Sequence, residues 1–160
     1  MLGWFSKKNI EEKIIREYKK SDFKKLKKLI IDFNREVGEP PEIDYFYTKN
    51  NLISTYNCFV LIENNEIQGF VVGQPIGKED YVILDIYVKE EKRKEGFALE
   101  LIKTLLNTVK SFDRILSNPV NSKSKSLFEK IGFKELPDKQ KNAPKKGGKP
   151  PYYTHCLKNN

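Results

Sequence analysis

Arg93-Lys94-Glu95-Gly96-Phe97-Ala98 joins two stretches of different periodicity. Before it, residues 81–88 are dense in apolar side chains, as a central strand should be. After it, residues 95–112 read as a helix through Phe97, Leu101, Leu105 and Val109, with Ala98, Ile102 and Leu106 beside them. Strand, turn and helix start therefore follow one another. The first turn of a helix carries N–H groups without intrahelical partners and a partial positive charge, so an anionic diphosphate can sit there on main-chain donors. Gly96 lets such a group approach the backbone. Arg93 and Lys94 are expected to touch the phosphates directly, and Glu95 to begin the helix with its side chain turned outward.

Working outward, residues 13–18 read as a strand, with Ser21 as a candidate N-cap and Asp22 in the first turn of a helix. Phe23, Leu26, Leu29, Ile30, Phe33 and Val37 recur at helical spacing, and Gly38 ends that run. Glu39-Pro40-Pro41 forces a loop, and residues 47–56 form a second, weaker helix. Residues 59–63 and 67–73 flank Asn64-Asn65, a hairpin signal. Beyond the central helix come a short strand at 114–120, a helix at 122–131 closed by Gly132, and strands at 133–136 and 152–157. The order β-α-α-β-β-β-α-β-α-β-β spans residues 13–158, with no internal repeat or domain boundary. One α/β domain over residues 13–160 is expected, preceded by an N-terminal extension at 1–12.

The chain of 160 residues is 38% apolar and 12% aromatic, enough for one core that buries roughly two-thirds of the unfolded surface. Cys58 and Cys156 stand far apart, and His155 is the single histidine. That pattern argues for a reducing compartment and against a disulfide scaffold or a metal site. The apolar residues near the start are too few for a signal segment, and no run approaches the ~20 needed to cross a membrane. A soluble, cytoplasmic protein is expected, with Leu2, Trp4 and Phe5 packed on the domain or on a second copy. The net charge of +8 is uneven: residues 138–160 hold six lysines against Asp138 alone, giving +5. The stretch at about 138–150 reads as a basic, flexible surface loop. A second lysine cluster, Lys19, Lys20, Lys24, Lys25, Lys27 and Lys28, lies on the first helix. Both suit a solvated surface, and both leave coenzyme phosphates, nucleic acid or an acidic partner open.

Three segments in order carry a resemblance to a known family. They are the hairpin Val60-Leu61-Ile62-Glu63-Asn64-Asn65-Glu66-Ile67-Gln68-Gly69-Phe70, the strand end Leu84-Asp85-Ile86-Tyr87-Val88 leading to Arg-x-x-Gly-x-Ala, and Asn121 followed by Leu127-Phe128-Glu129-Lys130-Ile131-Gly132-Phe133. Together they resemble the GCN5-related N-acetyltransferases (GNAT). The resemblance implies the acyl-CoA N-acyltransferase fold, a central mixed, mostly antiparallel twisted sheet flanked by helices. It also implies acetyl-CoA as the acetyl donor, held at the loop from Arg93 to Ala98. In this family the strand before the loop splays from the next one and pairs with the pantetheine arm, which assigns Ile86, Tyr87 and Val88 to that arm. Asn118-Pro119 fits the wedge, because proline has no N–H to give to a ladder. Asn121 would bond the cofactor arm, or else cap the helix that follows it. The sequence departs from the pattern twice. Lys94 stands where glycine is frequent, which is tolerated if its φ stays negative. Phe128, which the resemblance assigns to the cofactor site, stands where many members carry a proton-donating tyrosine.

Transfer from a thioester to an amine needs a neutral amine and a proton for the departing thiolate. Asp85, an acid inside an apolar strand, is the candidate base, since a buried carboxylate needs a wet cleft or a partner. The positions where the family more often has a glutamate base are Val82 or Leu84 here. His155 reads as a surface residue. The loop after the first helix gathers Glu36, Glu39, Glu42 and Asp44 ahead of Tyr45, Phe46 and Tyr47. Glu39, Glu42, Asp44 and Tyr45 are assigned to acceptor binding, because acids with aromatic faces suit an ammonium group. The expected partners are acetyl-CoA and a primary amine: a protein lysine, a protein N-terminus or a polyamine. A homodimer is left open, as are a degenerate acyl-CoA-binding homologue and a nucleic-acid or ribosome-associated module.

Overall fold

Asn64 and Asn65 both take left-handed backbone angles, with φ of 52° and 62°, the conformation a two-residue hairpin turn requires. They join β2 (Asn57–Glu63) to β3 (Glu66–Ile76). The computed structural model of the protein describes residues 13–39, 47–119, 121–137 and 153–158. Its further elements are β1 (Lys13–Glu17), α1 (Phe23–Val37), α2 (Asn51–Ser54), β4 (Asp80–Val88), α3 (Phe97–Thr108), β5 (Arg114–Ser117), α4 (Ser122–Ile131), β6 (Lys134–Glu135) and β7 (His155–Lys158). The strands form one sheet in the order β1-β2-β3-β4-β5-β7-β6. Every neighbouring pair is antiparallel except β4 with β5.

The sheet is covered on both faces, so the residues of its central strands are apolar in both directions. On one face Leu26, Leu29 and Ile30 of α1 pack with Leu52, Val60, Phe70 and Val72. On the other, Leu101, Ile102 and Leu105 of α3 and Phe128 of α4 pack on Phe59, Leu61, Val71 and Ile115. Each such aliphatic side chain contributes about 1.5–3 kcal/mol by leaving water. The mixed α/β architecture expected from the sequence is the one observed.

Local differences have local causes. Ser21 is not the helix cap: a 3-10 turn spans Lys20–Asp22 and α1 starts at Phe23. Asp22 takes over as the anchor, accepting from the Lys19 N–H at 2.8 Å and from Arg16 at 2.8 and 2.9 Å. The second helix is four residues long rather than ten. The central helix starts at Phe97, because Lys94 and Gly96 both carry positive φ and cannot continue it, and it ends at Thr108. The strand expected at 114–120 stops at Ser117, before Asn118-Pro119.

His155 corrects an expectation. It is only 3% exposed, because β7 runs between β5 and β6 and not along an edge. Cys58 and Cys156 are buried and free. The extension at 1–12 and the basic stretch at 138–150 lie outside the described residues. Among the described residues, no helix is long and apolar enough to cross a membrane, and no group of side chains is arranged to hold a metal.

Candidate active site

An extra residue in β4 creates the site. Val72 pairs with Asp85 but the next residue, Gly73, pairs with Ile83, so Leu84 is bulged out of register. A bulge re-aims the side chains that follow it. Tyr81 and Ile83 belong to the core under α3, and beyond the bulge Ile86 and Val88 do so. Asp85 is thereby turned to the opposite face, where α1 and α2 lie.

The ladder between β4 and β5 is short. It runs from Asp80↔Arg114 to Ile83↔Ser117 and stops. β4 continues to Val88, paired with β3 alone. Ile86, Tyr87 and Val88 therefore border a split in the sheet, and β5 ends at Ser117, before Asn118-Pro119.

At the far end of that split the chain makes a 3-10 turn at Glu90–Lys92 and reaches Gly96, the N-cap of α3, with φ 86° and ψ 0°. No side chain caps the helix start. A Cβ placed on Gly96 would meet nothing within 4 Å, so the N–H groups that follow it adjoin open space. Glu95 points outward, as expected, and pairs with Lys13 at 3.3 Å. Lys13 also stands 4.1 Å from the centre of the Phe97 ring. Phe97 itself is buried, so its main chain is what it can offer a ligand, while Ala98 packs partly on the same core.

Arg93, expected at the phosphates, also makes contacts within the protein. Its Nε donates to the Val88 carbonyl at 2.8 Å and its Nη2 to Glu36 at 2.5 Å. Its guanidinium lies 5.3 Å from the centre of the Tyr87 ring. Arg93 ties the loop to the end of β4 and to α1, and it holds the Glu36 carboxyl below its usual range. Glu36 is accordingly a loop anchor rather than one of the acceptor acids.

Lys94 has φ 65°, against the negative angle expected. A left-handed backbone disfavours a residue with a Cβ by roughly 1–2 kcal/mol, partly offset by the chain entropy glycine loses on folding. Lys94→Gly should raise stability by about 0.5–1 kcal/mol, or about 1–4 °C in melting temperature for a domain of this size. A lower melting temperature for the variant would contradict the strained angle.

Asn121 caps the helix that follows it. Its Oδ1 accepts from the Ser124 N–H at 2.9 Å, and its own N–H donates to Ser124 Oγ at 3.1 Å. Phe128 is 3% exposed and its ring packs edge-on against Phe133, with centroids 5.0 Å apart. Its place is the core wall beneath α4.

Asp85 has found a partner that the sequence did not suggest. The hydroxyl of Tyr47 donates a hydrogen bond to Asp85 Oδ2. Tyr47 is buried and stacks edge-on against Tyr56 at 5.4 Å. Burial pushes the Asp85 carboxyl above its ordinary range, Tyr47 opposes this, and the charge of Glu39 adds to it. Tyr47 is pushed up as well, by burial first and then by Asp85. Glu39 is exposed at the end of α1, whereas Glu42, Asp44 and Tyr45 lie outside the described residues.

Residues 23–133 match the model of the acetyltransferase (GNAT) family. The chain belongs to the GNAT acetyltransferases. These enzymes use acetyl-CoA as co-substrate. No curated protein sequence matches this GNAT chain. Among solved structures, a GNAT acetyltransferase from Staphylococcus aureus Mu50 is 16% identical with a TM-score of 0.77, covering 93% of this chain and 100% of its own. An aminoglycoside N-acetyltransferase in complex with CoA is 18% identical with a TM-score of 0.65, covering 79% and 91%. A ribosomal-protein-alanine N-acetyltransferase from Brucella melitensis biovar Abortus 2308 is 20% identical with a TM-score of 0.63, covering 75% and 91%. One fold is thus shared by enzymes named for acceptors as different as an aminoglycoside and a ribosomal protein.

Proposed function

We propose that this GNAT acetyltransferase acts on a primary amine carried by a cationic acceptor, with Asp85 as the general base. The observation that carries this reading is the bulge at Leu84, which turns a carboxyl of raised pKa through the sheet to the face of α1 and α2. Acetyl-CoA supplies the acetyl group as a thioester. The main chain at Gly96, Phe97 and Ala98 holds the diphosphate, and Ile86, Tyr87 and Val88 offer backbone groups to the arm. Lys94, exposed beside that start, adds charge for the phosphates. Asp85, steadied by Tyr47, takes a proton from the incoming ammonium. The acid-rich stretch from Glu39 through Glu42 and Asp44, with Tyr45, draws a cation in by its charge. No side-chain proton donor is needed at Phe128 for turnover to occur, since a free thiol has a pKa of only about 8.5 and leaves tolerably as the thiolate.

The test is coenzyme A release with a lysine peptide, a peptide with a free N-terminus and a polyamine. With the amine that reacts, charge reversal of Glu39 and Glu42 to lysine should raise the KM for that acceptor by about tenfold, following loss of steering and near-contact attraction. The KM for acetyl-CoA should stay within about twofold. An unmoved acceptor KM would return those acids to a structural role. The burial of Phe128 favours one second reading, a binder of acyl-CoA without turnover. That reading predicts tight acetyl-CoA binding and no coenzyme A release with any amine.

A further inference from the structure

Ser117 is the last residue of β5 to pair with β4, opposite Ile83, and it therefore sits at the apex of the split. It is 0% exposed, and its Oγ has no hydrogen-bond partner within the protein. Buried polar atoms are almost always bonded, so an orphan hydroxyl at such a place calls for a reason. Strand alternation puts Ser117 on the same face as Ile115, in the core beneath α3 and α4, where Ile83 also lies. Alanine or valine there would avoid the burial of an unbonded polar atom altogether.

Thr154 and Asn118, beside Ser117, bond to each other through their side chains. His155 stands directly across on β7, with its Nδ1 2.9 Å from Thr154 Oγ1. Thr154 Oγ1 also donates to Asn118 Oδ1 at 3.3 Å, and the Thr154 N–H donates to the Ser117 carbonyl. The main chain of Ser117 is thus tied down while its side chain is not.

We propose that the Ser117 hydroxyl faces the ligand and binds a polar atom near the acyl-bearing end of the cofactor arm. The proposal rests on the acetyltransferase site described above. With the diphosphate held at Gly96, the arm runs back along β4 from Val88 toward Ile83, five residues or roughly 16 Å at strand spacing. Its reacting end then arrives where the two strands close, which is where Ser117 waits. A hydroxyl can donate to a carbonyl oxygen or accept from an amide N–H, and the side chains of Ile83 across from it and Ile115 on the same strand face can do neither.

Ser117→Ala tests this, because it deletes the hydroxyl and little else. The variant without ligand should melt at the same temperature as the wild type or slightly higher, since an unsatisfied polar atom has been removed. Its calorimetric affinity for acetyl-CoA should fall about 5- to 10-fold, the loss of one buried hydrogen bond. Its affinity for adenosine 3′,5′-bisphosphate, which lacks the arm, should not change. Ser117→Cys, close in shape and a weaker donor, should fall between the two. An unchanged affinity for acetyl-CoA in Ser117→Ala overturns the proposal. So does a lowered melting temperature with both ligands weakened alike, which would make the serine structural. A wild type that binds acetyl-CoA no better than the bisphosphate would remove the arm from the split, and with it both this proposal and the site on which it rests.

Discussion

Gly96→Val is expected to weaken acetyl-CoA binding by about 30- to 100-fold while leaving the fold intact. Two effects add. At φ 86° a β-branched residue is strained by roughly 1–2 kcal/mol or more, which will shift the loop. The valine side chain would also fill the open space above the helix start and keep an anion from its N–H donors, each worth about 1.5–3 kcal/mol to a charged partner. Calorimetry gives the affinity, and circular dichroism shows whether the fold survives. The space around residue 96 is empty, so any global loss of structure should be small. An affinity within threefold of the wild type, in a folded variant, would remove the helix start as the phosphate site.

Asp85→Asn should reduce turnover by about 10²- to 10⁴-fold, the span of general-base contributions, with little change in acetyl-CoA affinity. The pH dependence follows from the direction of the shift. Asp85 has a native pKa above its ordinary value of 3.8, so the stability it contributes is full below that value and is lost as pH rises through the elevated native pKa. At neutral pH the charged carboxylate is therefore a burden on the fold, and Asp85→Asn, which keeps an acceptor for Tyr47, should hold or raise the melting temperature. Activity has the opposite dependence. It should rise with pH as Asp85 ionises, and that acid limb should vanish in the asparagine variant. A variant as active as the wild type at every pH would transfer the base to a water or another group.

The parts of this molecule legible in sequence are those whose signal is local. Asn64-Asn65 can only be a turn between two apolar runs, and Gly38, Gly96 and Gly132 sit where helices end or begin, each at positive φ. The split is implied by the family resemblance, and Pro119, which cannot extend a ladder, fits it. What escaped depends on partners far along the chain. Tyr47 and Asp85 are 38 residues apart, and Glu36 and Arg93 are 57 apart. No spacing rule connects them. The bulge at Leu84 was hidden for another reason: in a strand apolar on both faces, Val82-Ile83-Leu84 shows no alternation whose interruption could be seen. His155, on the last strand near Tyr153, looks exposed in the sequence, and only the strand order places β7 inside. Lys94 was misjudged because the sequence alone gave no sign that an unfavourable backbone angle would be kept at a position with so plain a remedy.

The short ladder between β4 and β5 also divides the sheet mechanically. On one side lie β1 to β4; on the other lie β5, β7 and β6, joined to them by four residue pairs, by the Arg114–Asp80 ion pair and by side-chain packing on both faces of the sheet. Such a seam is where a domain opens first, at a free energy below that of global unfolding. A molecule lying along the seam binds only the closed form, and so stabilises the C-terminal half by mass action. With acetyl-CoA bound as proposed above, resistance of β5 to β7 to proteolysis and amide exchange should therefore rise as the ligand is added.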